Sequence, residues 1–116
     1  MTTPKLIDRL ASGHDMDAPL FREVARACGI TLDPDDDRLA RLMEMILIGA
    51  WRDACAELQA VVLPDALVAC IGQNPTRAWR VALHDANWRW ESLGQHPTSE
   101  CRAHLIAILR AVEAQG

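Results

Sequence analysis

Segment 77–90 interleaves cations with indoles: Arg77, Trp79, Arg80, Trp88, Arg89 and Trp90. Arginines that neutralise phosphates, set beside rings that stack on bases, are the equipment of a nucleic-acid surface. Cys101-x-x-His104 has the spacing of half a zinc site. A tetrahedral site would have to draw its other ligands from His14, His84 or His96. His84 beside Asp85, and His96 ahead of Glu100, are pairs from which acid–base chemistry could be built. The run Asp33, Asp35, Asp36 and Asp37 concentrates negative charge that would suit a basic protein surface.

Each of these groups has a plainer account. The chain carries a net charge of −4, with twelve acidic residues against seven basic ones in segment 1–76. It therefore lacks the electrostatic drive that nucleic-acid binding draws on. The zinc half-site has no second pair at ligand spacing, and His104 flanks an apolar stripe and is expected to be solvated. Neither histidine–acid pair has a nucleophile in a sharp turn or a glycine-rich phosphate loop nearby. No catalytic residue, metal ligand or cofactor site is expected, and the chain reads as a non-enzyme. Cys28, Cys55, Cys70 and Cys101 each fall on an apolar helical stripe, which predicts four reduced thiols packed as small hydrophobes.

The elements that would position these residues are mostly helical. Thr3-Pro4 is a cap followed by proline, with Leu6, Ile7 and Leu10 on one face before Gly13. Asp17 caps a second helix with the stripe Leu20, Phe21, Val24, Ala25 and Cys28, ended by Gly29. The two are joined by Ser12-Gly13-His14-Asp15. Asp33-Pro34 repeats the cap-plus-proline signal, and Asp35, Asp36 and Asp37 suit the positive end of the helix that follows. Helical spacing then runs to Val62, with Gly49 marking either a bend or the meeting of two helices. Segment 65–71 reads as a short helix, and the closing helix is capped by Thr98 or Ser99, with Cys101, Leu105, Ile108, Leu109 and Val112 along one side.

Period-two alternation is confined to the tryptophan segment, and predicts a hairpin over about 77–84 and 87–93. An even-length turn around Asp85-Ala86 sets Leu83 against Trp88, Val81 against Trp90 and Arg80 against Glu91. The indoles then turn inward onto the closing helix. The fold class expected is α+β, one predominantly helical domain over 1–116 with the hairpin packed against the C-terminal helix. The chain is long enough to bury its own core, and its longest apolar run is too short to span a bilayer. With no signal-like leader, a cytoplasmic protein is expected.

The ends of the chain resemble the phage ABA sandwich domain, a family of small phage and prophage proteins. The residues that carry the likeness are Leu6-Ile7 with Leu10-Ala11, Met16-Asp17 before Val24-Ala25, and Asp65-Ala66-Leu67. Further on come Trp79-Arg80-Val81, Trp88, Trp90, His96-Pro97-Thr98 and the segment Leu105-Ile106-Ala107-Ile108-Leu109. The resemblance implies a phage origin and helices around a small sheet, and it brings no catalytic residues to carry over.

Together these readings predict a small acidic accessory protein that binds a host or phage protein, for instance to inhibit a host nuclease or defence complex. The surface residues assigned to that role are Asp33, Asp35, Asp36 and Asp37, with Arg80 and Arg89 from the hairpin. The alternatives are a nucleic-acid-binding regulator using Arg77, Arg80, Arg89 and Arg102, or a homo-oligomer formed through Met43, Ile46, Leu47 and Trp51.

Overall fold

The structure, a computed structural model, describes residues 3–13 and 15–115. His14, a member of the expected first loop and a candidate zinc ligand, lies outside them. The element order is α1 (Thr3–Ser12), α2 (Ala18–Ala27), α3 (Asp37–Ile48), α4 (Trp51–Val62), β1 (Ala66–Gln73), β2 (Trp79–Asp85), β3 (Glu91–His96) and α5 (Glu100–Gln115). The strands form one antiparallel sheet in the order β1-β2-β3. The class is α+β, as expected, with the C-terminal helix packed on the sheet.

α5 is the centre of the molecule. Its sheet-facing side meets β2 and β3, and α1 and α4 pack on its other sides. Every residue from 101 to 109 is buried in consequence. A helix apolar nearly all round, as Ala103, Leu105, Ile106, Ala107, Ile108 and Leu109 make it, is what such a central position needs. Val81 and Leu83 of β2 meet it from the sheet side, and Leu6, Leu10, Phe21, Leu42 and Leu58 supply the helical side of the core.

Local chemistry explains most boundaries. The Asp17 carboxylate accepts from the Leu20 N–H at 2.8 Å, capping α2. Gly49 closes α3 in the left-handed conformation (φ 73°), so α3 and α4 are two helices that meet there. The cap of α3 is Asp36 rather than Asp33. Its carboxylate accepts from the N–H groups of Arg38 and Leu39 at 3.0 and 3.1 Å. Asp33 instead accepts from Asp35 N–H at 2.9 Å, closing a turn that contains Pro34. Ser99 caps α5 through Arg102 N–H at 3.1 Å. Ahead of it His96 Nδ1 accepts from the Thr98 and Ser99 amides at 3.0 and 2.9 Å. With Nδ1 an acceptor, Nε2 carries the proton and donates to the Gly13 carbonyl at 2.5 Å.

Three expectations need correction. Segment 65–71 belongs to β1, a strand paired along β2 with a bulge between Val68 and Cys70. The hairpin register places Leu83 opposite Ser92, Val81 opposite Gly94 and Arg80 opposite Gln95. This is four positions away from the expected pairing. The shift is even, so Trp79, Val81 and Leu83 keep their common face, but Trp88 and Trp90 fall in the turn. Trp88 is 60 % exposed and left-handed (φ 55°), stacked on His84 with ring centroids 3.6 Å apart. Trp90 is half-buried against the core. No described helix is long and apolar enough to cross a membrane.

Candidate protein-interaction surface

α5 covers one face of the sheet and no described helix packs across the other, although Ala82 and His84 on it are buried. Register brings its residues into three rows: Leu67, His84 and Glu91; Cys70, Ala82 and Leu93; Gly72, Arg80 and Gln95. Trp88 lies over the first row through its stack on His84. The middle row is apolar, and Leu67 at its margin is 49 % exposed. On the α5 side, Val68 and Ile71 overhang the helix and stay 46 % and 42 % exposed. One strand therefore displays apolar side chains on both faces.

The backbone of β1 is also open on its outer edge, since β2 is its sheet neighbour. Edge strands are usually blunted by lysine, proline or inward-pointing charge. The eight residues Ala-Leu-Val-Ala-Cys-Ile-Gly-Gln contain none of these, and the bulge is their one irregularity. The opposite edge is better guarded: Arg110 Nη1 donates to the Leu93 carbonyl at 2.7 Å, and Pro97 ends β3.

A second feature lies where the sheet meets α4 and the start of α5. Trp51 and Trp79 line an open depression of about 580 Å³ together with Arg52, Glu100, Thr98, Ser99 and Cys101. Arg52 Nη2 and a Glu100 carboxylate oxygen are 2.8 Å apart across it. Beyond that pair a depression of about 530 Å³ continues past Ala56 and His104 to Ile71. The expectation that all indoles turn inward and leave no groove therefore fails for Trp79. It sits at the sheet end, where α5 has only begun and covers it by half.

The predicted partner-binding residues do not form one site. Asp33 and Asp36 have their carboxylates engaged by backbone amides, while Asp35 and Asp37 are exposed beside them. Arg80 is exposed on the sheet face away from α5. Arg89 is held in the hairpin turn, where its Nε and the Asp85 carboxylate are 2.8 Å apart. Burial opposes ionisation of Asp85, but the side-chain and backbone hydrogen bonds from Arg89 outweigh it and hold the carboxyl below its ordinary value. Arg102, counted with the nucleic-acid arginines, is buried and donates to the carbonyls of Arg9, Leu10 and Asp15.

The cysteine and histidine expectations also change. Cys70 is exposed on β1, Cys28 is half-buried, and Cys55 and Cys101 are buried side by side. Burial pushes the Cys28 thiol up to about 12. His104 is not solvated: it is 4 % exposed, and its Nε2 lies 2.7 Å from Gln59 Oε1. Among the described residues no His, Cys, Asp or Glu group is arranged to hold a metal ion.

Burial lowers the His104 pKa from 6.5 to about 4, with Glu100 opposing the shift weakly. The folded state thus binds the proton less readily than the unfolded chain. Stability from this residue is complete above the unfolded value and is lost as pH falls toward the folded one. By pH 5 the loss amounts to about 2 kcal/mol. Urea unfolding of wild-type and His104→Gln proteins at pH 7.5 and pH 5 checks this. The wild type is expected to lose about 2 kcal/mol more than the variant over that interval, and equal losses would contradict it.

Comparison of the chain with protein-family profiles, with characterised proteins and with solved structures returns no match.

Proposed function

We propose that the protein acts by binding another protein and catalyses no reaction, as a small phage-type accessory factor. The observation that supports this best is β1: an uncharged eight-residue edge strand with Leu67, Val68 and Ile71 exposed. A partner segment that adds a strand to β1 would satisfy its outward backbone groups and cover apolar area on both faces. Trp88 beside it is a suitable anchor, being large, rigid and already clear of the core. A left-handed tryptophan is strained by about 1–3 kcal/mol, which a folding role alone would not favour at an exposed turn. Asp35 and Asp37 would steer a basic partner, such as a nuclease or defence protein, without anchoring it. The phage reading comes from the resemblance carried by the ends of the chain.

Two substitutions test this. Val68→Lys guards the edge as natural edges are guarded, and Trp88→Gly removes the anchor while relieving its backbone. Both are expected to leave folding stability within about 1 kcal/mol of wild type. Each should weaken partner capture from host extract at least tenfold, measured by retention on immobilised protein. Equal retention by wild type and both variants, or none by any of them, sinks the reading.

A second occupant, another copy of this chain, has its own support. Asp65 precedes β1, while Arg77 and Arg80 lie at its far end. Antiparallel self-pairing would set the acidic end of each strand against the basic end of the other. Leu47 and Ile48, 76 % and 73 % exposed on α3, offer a separate apolar contact. Sedimentation mass across a concentration series distinguishes these from a host partner, and Val68→Lys abolishes dimerisation only if β1 carries it.

A further inference from the structure

Cys55 on α4 and Cys101 on α5 come from helices 46 residues apart in the chain, yet their sulfurs lie 3.0 Å from each other. Both residues are buried, at 0 % and 7 % exposed. Packing a cysteine as a small hydrophobe does not require its sulfur to meet another sulfur. Cys28 is the plain case, a half-buried free thiol. A bonded pair stands at about 2.05 Å, so the two sulfurs need a closure of about 1 Å.

We infer that Cys55 and Cys101 form an oxidisable dithiol site, closed to an internal disulfide by small-molecule disulfides of the oxidised-glutathione class. Access fixes the order of events. Cys101 lines the open depression between Trp51 and Trp79, while Cys55 lies behind it and does not reach solvent. Cys101, as thiolate, attacks one sulfur of the disulfide donor, forming a mixed disulfide and releasing one thiolate. Cys55 then attacks the Cys101 sulfur, and the second glutathione thiolate leaves with the proton that Cys55 gives up. Two protein thiols and one donor disulfide become one protein disulfide and two small thiols, so the two electrons end on the donor. Burial and the Cys101 hydrogen bond push the Cys55 thiol up, which suits a group that reacts only after Cys101 has been modified. The bridge would tie α4 to α5 around the whole sheet. This inference does not depend on β1 or on any protein partner.

The test is equilibration of the folded wild-type chain in excess oxidised glutathione, followed by alkylation in denaturant and intact-mass and peptide analysis. Cys70, exposed on β1, serves as an internal control and should carry glutathione. A 55–101 linked peptide is expected, with the loss of two alkylatable thiols and a rise in unfolding temperature of roughly 10 °C over the reduced form. In Cys55→Ser, Cys101 should stop at a mixed disulfide with one glutathione, whereas in Cys101→Ser the Cys55 thiol should stay reduced. Glutathione on Cys70 while Cys55 and Cys101 both remain alkylatable would overturn the inference, as would a linked peptide joining any other pair.

Discussion

Gly94→Ala is expected to destabilise the protein by at least ~4 kcal/mol, a large fraction of the roughly 5–15 kcal/mol that keeps a domain folded. A Cβ on Gly94 would lie 1.9 Å from the Ala103 carbonyl oxygen and 2.7 Å from the Ala107 nitrogen. Both are backbone atoms of α5 and cannot rotate aside. The helix would have to move off the sheet, pulling Ala103 and Ala107 away from β3 and loosening α5 from β2, whose Val81 and Leu83 are fully buried. Overpacking a core normally costs about 1–3 kcal/mol because side chains can yield. Here the yielding element is the central helix, so the larger figure applies. Gly72→Ala is the control: nothing lies within 4 Å of its Cβ position on β1, and a change within ~0.5 kcal/mol is expected. Urea midpoints of the two variants decide the matter. A Gly94→Ala midpoint close to wild type would mean that α5 does not rest on β3 at this distance.

The same close approach explains what the sequence discloses and what it hides. Asp17, Gly29 and Gly49 act within a few residues of themselves, so the ends of α2 and the break between α3 and α4 are readable from local chemistry. The shared face of Trp79, Val81 and Leu83 is likewise readable, because side-chain parity survives an even shift of register. The register itself is not. It depends on Gly94 lying under Ala103 and Ala107, a long-range fit with no period of its own. β1 escapes notice for a related reason. With both its faces partly exposed it has no alternation to display, and Leu67, Val68 and Ile71 match helical spacing equally well. The burial of His104 follows from α4 lying along α5, and its partner Gln59 stands 45 residues away. The acidic run shows the limit of composition: four aspartates look like one surface, yet Asp33 and Asp36 are occupied by their own backbone.

The protein-binding surface proposed for β1 and the tryptophan depression lie at different parts of the sheet but share one cause. A single helix covers a three-stranded sheet over β2 and β3, leaving β1 beyond its reach and Trp79 beside its first turn. Ser92 shows that the covered part is not perfectly matched either. Its hydroxyl is the one buried side-chain polar atom without a hydrogen bond among the described residues. Ser92→Ala should therefore be neutral or stabilising by up to about 1 kcal/mol in thermal unfolding, in contrast to the neighbouring glycine.

Arg102→Met is expected to destabilise the fold by about 3–5 kcal/mol, because the guanidinium is a structural hub with no ion-pair partner among the described residues. Nη1 donates to the carbonyls of Arg9 and Leu10 at 3.0 Å each, and Nε donates to Asp15 at 3.1 Å, with Nη2 on the same Asp15 oxygen. The first two carbonyls belong to the last turn of α1, where the negative end of the helix dipole favours a cation. One side chain thus closes α1, holds the loop to α2 and fixes both to α5. Methionine keeps the stem but takes the guanidinium's hydrogen bonds away from all three carbonyls. Lysine, with three donors and no planar fork, should restore only part of the loss. Gly13 provides a check that simple loss of packing would not pass. A Cβ there would lie 2.6 Å from both guanidinium nitrogens, so Gly13→Ala alone must displace the head group. In the Arg102→Met background that obstruction is absent. The double variant should therefore be more stable than the sum of the two single losses by about 1–3 kcal/mol. Strict additivity in urea unfolding would show that the guanidinium is not seated against Gly13, and the account of how α1 is anchored would fall with it.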